Sequence, residues 1–423
     1  MKQAHLIGIG GIGMSALANL LHAKGIKITG SDAAGPSDLT KKLEEKGVKI
    51  FYEHKADNLN TAYDLVIYSE AVSQNNPEIL AAQALNIEQK SYAKALGDIT
   101  KDYQLILITG THGKTTVTGM ISHIALEHGL DPTIVIGSKM KELNNNNYRV
   151  GHSKLFIAEG CEYRRSFLNF NPDILVITNI ELDHLDYFKN EEDYLNAFKE
   201  IIRKVPETGF IIINTNDEKA LELTKNSSST IITFNNSEAD GIKLTVPGKH
   251  NRVNALSALK AMECLGINGL DAIKSFKNTW RRLEIVGELE GAIIYDDYAH
   301  HPTEIKASLQ ALREQYPRQK ICAVFQPHQV SRTKSFAAEF AQAFTLADEV
   351  ILSDIYAVRD SEEDAKNVSS QFLTEKITAT GTKATYTGSL EKTKNFIKEN
   401  RQNWNIIVLM GAGDITKIRE ELL

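Results

Sequence analysis

The sequence predicts an α/β protein built from three successive domains. Short apolar strands alternate with helical stretches along the whole chain, the pattern of parallel sheets covered by helices. Two of those strands run into glycine-rich turns that open helices, one at Gly8–Gly13 and one at Gly110–Gly113. At 423 residues the chain is also too long for one ordinary core.

Composition narrows the functional classes. Hydrophobic residues make up 42% and charged residues 24%, as in ordinary globular proteins and unlike disordered ones. A net charge of −6 argues against a dedicated nucleic-acid binder. Cys161, Cys264 and Cys322 lie far apart with no C-x-x-C, so neither a disulfide framework nor a zinc knuckle is expected. No apolar run approaches the ~20 residues that cross a bilayer, and the N-terminus enters a strand without a basic, cleavable leader. The expectation is a cytoplasmic protein with no membrane or nucleic-acid partner, as monomer or homodimer.

The first domain is expected over residues 1–97. A strand at His5–Ile9 runs into Gly8-Ile9-Gly10-Gly11-Ile12-Gly13, where Gly8, Gly10 and Gly13 fit G-x-G-x-x-G. A helix from Met14 to His22 and a strand at Lys27–Thr29 follow, ending at Ser31-Asp32, about twenty residues beyond the glycines. This is the Rossmann fingerprint. Physically it places a pyrophosphate over a helix N-terminus and a carboxylate within reach of a ribose, which a sugar nucleotide satisfies as well as NAD or FAD. Strands at Val48–Phe51 and Leu65–Tyr68 continue the domain, the second ending in Ser69-Glu70-Ala71.

The second domain is expected over residues 98–281. A buried strand at Leu105–Ile108 leads to Gly110-Thr111-His112-Gly113, and Lys114-Thr115-Thr116 opens a helix. Backbone N–H groups, a lysine and hydroxyls around one small volume make a polyphosphate cradle. The motif is shorter than the general G-x-x-x-x-G-K-[ST], because Ile108 stands where the first glycine belongs. Strands near Thr133–Ile136, Leu155–Ala158 and Ile174–Thr178 follow, and the asparagines at 144–147 read as a solvated turn. Glu159 ends one of these strands, and His184 closes the N-I-E-L-D-H run after another. Strand ends in a parallel sheet collect on the P-loop edge, which makes both residues candidates for holding a nucleotide-bound metal. Further strands are expected at Phe210–Asn214, Thr230–Phe234 and Lys243–Val246, then P-G-K-H-N at 247–251 before another helix.

The third domain, residues 282–423, repeats the alternation without a phosphate signature. Ile293–Tyr295 leads into D-D-Y-A-H-H-P at 296–302, Ile321–Phe325 into Gln326-Pro327-His328, and Ile406–Met410 into Gly411-Ala412-Gly413-Asp414. His300-His301 reads as a hydrogen-bonding pair. A dehydrogenase has no use for the second signature, and a simple NTPase leaves the first unexplained. A protein that binds one nucleotide-linked substrate and one nucleoside triphosphate needs both.

These segments resemble the Mur ligase family over essentially the whole length. HLIGIGGIGMSALA, GTHGKTT, EGCEYRRSFL, TNIELDHLD, PGKHNRVNA, DDYAHHPTE, FQPHQVSRT and GAGDI carry the likeness, and the short P-loop is the form that family uses. The resemblance implies an N-terminal Rossmann-like domain, a central P-loop ATPase α/β domain and a C-terminal Rossmann-like domain. It also implies ATP-dependent amide formation in peptidoglycan synthesis. The implied substrates are UDP-N-acetylmuramate, L-alanine and ATP, with Mg²⁺ as cofactor and Mn²⁺ possible.

By the same resemblance, Gly8, Gly10, Gly11 and Gly13 cradle the UDP pyrophosphate, with Asp32 and Ser69 near the sugar nucleotide. Gly110, Thr111, His112, Gly113, Lys114, Thr115 and Thr116 form the ATP loop. Lys114 contacts phosphates, and Thr115, Glu159 and His184 serve the metal. Asn251 and Asn254 match positions near the adenine, while Arg282 and Asp297 match ATP-site positions supplied as the C-terminal domain closes. Tyr298, His328 and Arg332 match the amino-acid site, with Arg332 pairing with alanine's carboxylate. Lys114, Glu159, His184 and Arg332 are the implied catalytic set.

Two departures from the family pattern stand out. Cys161 replaces an aspartate, and Gln329-Val330 replaces a basic and an aromatic residue after Q-P-H, which admits glycine or serine as amino acid. The competing readings are a recycling ligase that attaches a tripeptide to the same UDP-sugar, a NAD-dependent oxidoreductase using Gly8–Gly13, and a non-catalytic nucleotide-binding regulator.

Overall fold

A computed structural model describes residues 1–357 and 369–423. The chain forms two compact units, Met1–Asn236 with Leu256–Ile273, and Ser237–Ala255 with Lys274–Leu423. The first unit holds two sheets and the second holds one.

The first sheet comprises β1 (Gln3–Ile7), β2 (Lys27–Ser31), β3 (Lys49–Phe51), β4 (Leu65–Tyr68) and β5 (Glu88–Ser91). They are ordered β3-β2-β1-β4-β5, all parallel. Strand order reverses between β1 and β4, so the turns that follow these two strands flank the crevice where such sheets bind ligands. β1 is buried from Ala4 to Ile7, as a central strand of a two-sided sheet must be.

The second sheet comprises β6 (Gln104–Thr109), β7 (Thr133–Met140), β8 (Asn146–Arg149), β9 (Leu155–Glu159), β10 (Ile174–Ile177), β11 (Phe210–Asn214) and β12 (Thr230–Phe234). Their order is β12-β11-β10-β6-β9-β7-β8. β6 lies between β10 and β9, both parallel to it, so Thr109, Ile177 and Glu159 end side by side. That topology gathers the P-loop, the segment after β10 and Glu159 on one edge.

The expected junction at 97 falls inside the helix Tyr92–Thr100. This helix packs so tightly on the 3₁₀ segment Tyr163–Asn169 that a Cβ on Gly97 would lie 2.2 Å from the Asn169 carbonyl oxygen. Leu17, Leu96, Phe167 and Phe198 belong to one apolar core shared by the first two sheets, which explains why they form one unit.

The asparagine run is only half turn. Asn144 and Asn145 adopt left-handed φ of 55° each, which asparagine tolerates. Asn147 lies in β8, buried, and donates to the carbonyls of Ile12 at 3.0 Å and Ile136 at 3.3 Å. The expected strand at Lys243–Val246 does not form. Thr245 instead donates its hydroxyl to the Phe276 carbonyl.

In the second unit, β13 (Glu284–Leu289), β14 (Ala292–Asp297), β15 (Ile321–Phe325), β16 (Glu349–Ser353), β17 (Lys383–Gly388) and β18 (Ile406–Met410) are ordered β13-β14-β18-β15-β16-β17. Only β13 runs antiparallel to its neighbour. Asp297, Met410 and Phe325 end adjacent strands, so the polar clusters after them share one edge.

Candidate functional site

The P-loop is a close-fitting turn. Gly110 has φ +126°, and a Cβ there would stand 2.2 Å from Thr178 Oγ1, so only glycine fits. Gly113 caps the helix Lys114–Glu127 at φ +83°. The segment after β10 laces the turn from outside. Thr111 N–H donates to the Asn179 carbonyl at 2.9 Å, His112 N–H to Asn179 Oδ1 at 2.9 Å, and Thr178 and Asn179 both donate to the His112 carbonyl. Thr111 Oγ1 lies 2.8 Å from the hydroxyl of buried Tyr194.

Thr115 and Glu159 are in direct contact, with the hydroxyl 2.9 Å from Oε2 and 3.0 Å from Oε1. Glu159 Oε2 also accepts from Gly137 N–H at 2.9 Å. His184 stands apart from this pair, 3.4 Å from Glu162 Oε1 and stacked against Tyr163 with ring centroids 4.8 Å apart. Lys114 Nζ donates to the carbonyls of Gly110 at 2.6 Å and Thr111 at 2.9 Å and pairs with Glu162 at 2.9 Å. Burial alone would lower the lysine's pKa, but Glu162 and nearby Glu159 lift it above the ordinary value. Burial likewise works against the Glu162 carboxylate, and Lys114 and His184 more than offset it, holding its pKa below the usual range.

Glu162 was not among the residues expected from sequence. It is the fourth residue of E-G-C-E, immediately before a 3₁₀ segment in which Arg164 and Arg165 take φ of 52° and 55°. The repeated glutamate three residues after a strand-end carboxylate was the available signal.

At the first sheet's crevice, Gly8 follows β1 at φ +80° and Ser69 follows β4. A Cβ on Gly8 would lie 3.1 Å from Ser69 Cβ. Gly10 N–H donates to Asp32 Oδ2 at 2.8 Å, and Gly13 packs on the ring of Tyr92, where a Cβ would approach within 2.9 Å. Ser31, beside Asp32, donates to the buried carboxylate of Glu78, which braces the end of β2.

The second unit gathers the C-terminal candidates. Buried Asp297 accepts from Ala299 N–H at 3.1 Å and from the Ser308 hydroxyl. Burial raises its pKa to about 6, against the lowering effects of Ser308 and Arg282. Arg282 lies over the Tyr298 ring at 5.1 Å. Its neighbour Arg281, overlooked in the sequence, is buried and binds Asp296 at 3.0 Å and the Gly411 carbonyl, tying the turn after β18 to β14. His328 stacks on Tyr356 at 5.6 Å, meets His300 edge-on at 5.9 Å, and its Nδ1 lies 3.3 Å from Arg332 Nη1. His301 caps the helix Pro302–Gln315, accepting from Thr303 N–H through Nδ1. Asn251 and Asn254 both lie on the helix Lys249–Glu263, with Asn251 Nδ2 donating to the Pro247 carbonyl at 2.6 Å.

Family models match in three consecutive pieces: the Mur ligase catalytic domain at residues 3–104, the Mur ligase middle domain at 108–243, and the glutamate ligase domain of Mur ligases at 281–413. The chain belongs to the Mur ligase family. A Mur ligase of Clostridium acetobutylicum, UDP-N-acetylmuramate–L-alanine ligase, is 41% identical over 452 residues, covering 100% of this chain and 97% of the relative. The structure of UDP-N-acetylmuramate–alanine ligase from Thermotoga maritima is similar at a TM-score of 0.81 with 29% identity, covering 100% of this chain and 98% of that one. A murein peptide ligase from Psychrobacter arcticus shares the fold, at a TM-score of 0.72 and 22% identity over 100% of this chain and 98% of that one. Among the described residues of this Mur ligase, no helix is long and apolar enough to cross a membrane.

Proposed function

We propose that this Mur ligase joins L-alanine to the lactyl carboxylate of UDP-N-acetylmuramate, with ATP converted to ADP and phosphate, in peptidoglycan precursor synthesis. The observation that carries the reading is full-length likeness, at 41% identity, to a relative that bears this activity in its name. The tripeptide ligase and the oxidoreductase are not favoured. The peptide ligase likeness is one of fold, and a nicotinamide reading leaves the Lys114–Thr116 cradle without a purpose.

A carboxylate is a poor electrophile at neutral pH. Transfer of the γ-phosphoryl to a lactyl oxygen releases ADP and leaves an acyl phosphate. The free amine of alanine then attacks the carbonyl carbon, loses a proton and expels inorganic phosphate. Such chemistry asks mainly for positioning and charge neutralisation. In this reading Gly8, Gly10, Gly11 and Gly13 hold the pyrophosphate of the UDP-sugar, with Asp32 and Ser69 at its edge. Gly110–Thr116 wrap the ATP phosphates, and Lys114 neutralises them. Asn251, Asn254, Arg282 and Asp297 match further ATP-contacting positions of the family. Tyr298, His328 and Arg332 receive alanine, with the guanidinium pairing with its carboxylate.

The donor chemistry fits a hard divalent cation. Thr115 hydroxyl and Glu159 carboxylate are already in contact, and oxygen donors suit Mg²⁺ or Mn²⁺, while the His184 nitrogen suits Mn²⁺ better. Such a cation supplies positive charge to the phosphate oxygens. The reading places the protein in the cytoplasm, in keeping with three free cysteines.

Phosphate release from ATP with UDP-N-acetylmuramate tests this, with alanine, glycine, serine and the tripeptide run side by side. Alanine is expected to give the highest kcat/KM. Preference for the tripeptide would overturn the assignment.

A further inference from the structure

Lys114 is fully engaged. Its ammonium carries three protons, and it has three partners: the Gly110 carbonyl at 2.6 Å, the Thr111 carbonyl at 2.9 Å and the Glu162 carboxylate at 2.9 Å. Glu162 is 1% exposed, and its other near neighbour is His184 Nε2 at 3.4 Å. One buried carboxylate therefore sits between the lysine that must meet phosphate and the histidine on the metal side.

Phosphate oxygens that recruit Lys114 draw the ammonium away from Glu162. A buried carboxylate stripped of its cation is strongly unfavourable. A divalent cation held near His184 would restore the missing positive charge as the nucleotide arrives. A nucleotide that arrives without one does not.

We propose that Glu162 is a positioning residue that couples nucleotide binding to the divalent cation. It pins Lys114 before nucleotide binds and releases it when a cation near His184 compensates the carboxylate. The inference rests on the reading above that this loop binds ATP. A static brace would behave differently, because neutralising it would loosen the loop and weaken nucleotide binding with or without metal.

The test is ADP affinity of the full chain by calorimetry, in EDTA and in Mn²⁺, for the wild type and Glu162→Gln. In EDTA the Gln variant is expected to bind ADP at least about tenfold more tightly than wild type, and the gain from adding Mn²⁺ to shrink by a similar factor. An unchanged gain, or weaker ADP binding in both media, would overturn the proposal. Lys114→Gln supplies an independent arm that needs no nucleotide and is read on the folded fraction, checked by circular dichroism. With the carboxylate relieved of its lysine, Mn²⁺ alone should bind at least about tenfold more tightly than to wild type by EPR titration, and equal or weaker binding refutes the coupling. A wild type that binds no ADP at all would defeat the functional reading instead, while the Mn²⁺ arm still reports on Glu162.

Discussion

Gly10 and Asp32 act as one device. The glycine amide donates to Asp32 Oδ2 at 2.8 Å, while Oδ1 accepts from Ala34 N–H at 3.0 Å. The acid at the end of β2 therefore shapes the turn at the end of β1, beyond whatever it offers a ribose. A Cβ on Gly10 would stand 2.7 Å from that same oxygen.

Removing the carboxylate or crowding it with a Cβ should damage the proposed UDP-sugar site and spare the proposed ATP site. A hydrogen bond to a charged group contributes about 1.5–3 kcal/mol. Asp32→Ala and Gly10→Ala are accordingly expected to raise KM for UDP-N-acetylmuramate by roughly ten- to a hundredfold, with KM for ATP nearly unchanged. Steady-state phosphate release with each substrate varied in turn reads the split, and an equal rise for ATP would show that the turn acts on the whole unit.

Arg332 lies buried on the helix Val330–Ser335, its guanidinium 3.3 Å from His328 Nδ1. His328 is itself clamped between Tyr356 and His300. A planar guanidinium can pair with a small carboxylate through two parallel N–H donors, which a lysine ammonium does not reproduce. Arg332→Lys is expected to raise KM for alanine about tenfold or more and leave both nucleotide KM values in place. An unaltered alanine KM would remove this residue from the proposed amino-acid site.

Much of the candidate site's geometry was legible because it is local. The strand, turn and helix around Gly110-Thr111-His112-Gly113-Lys114-Thr115 can be read from six consecutive residues, and Glu159 as the polar end of an apolar strand. Glu162 was not legible, since its partner Lys114 lies 48 residues away in sequence, on a different element. Asn147 misled for a related reason. Asparagine composition suggests solvent, but pairing of β8 with β7 carries its side chain inward to the Ile12 carbonyl. The edge strand β13 escaped notice because Glu284–Leu289 lacks a long apolar run and forms only by antiparallel pairing with β14. Lys243–Val246 shows the reverse: a plausible apolar pattern gains no ladder, and Thr245 bonds elsewhere.

Asp297 predicts a pH signature. Its pKa rises from 3.8 to about 6 through burial, with Ser308 and Arg282 pulling the other way. Between those values the folded protein holds a proton that the unfolded chain has lost, so this group's contribution falls as pH rises from about 4 through 6. The penalty is complete above that range and amounts to at most about 3 kcal/mol. Asp297→Asn removes it. Relative to wild type, the Asn variant should gain stability as pH climbs through that interval, whatever constant offset the loss of the Ser308 acceptor adds. Urea denaturation at a series of pH values measures the difference, and a flat difference curve would refute it.

The Lys114–Glu162 pair also bears on folding stability, which no assay of turnover reveals. The lysine side chain is 14% exposed and the glutamate 1%, so the pair sits where an unmatched charge is poorly solvated. Breaking such a pair from one side typically destabilises by about 3–5 kcal/mol, mostly because the surviving charge stays buried, whereas neutral replacement of both partners is often nearly free. Lys114→Met should therefore lower the melting temperature markedly, although it removes a residue whose proposed work is done on a ligand. Glu162→Gln should cost less, because Lys114 keeps two carbonyl acceptors at 2.6 and 2.9 Å. The double variant Lys114→Met with Glu162→Gln should then recover most of the stability lost by Lys114→Met alone while remaining inactive. Calorimetry of the three variants closes the cycle, and strict additivity of the two single losses would mean that the charges do not depend on one another.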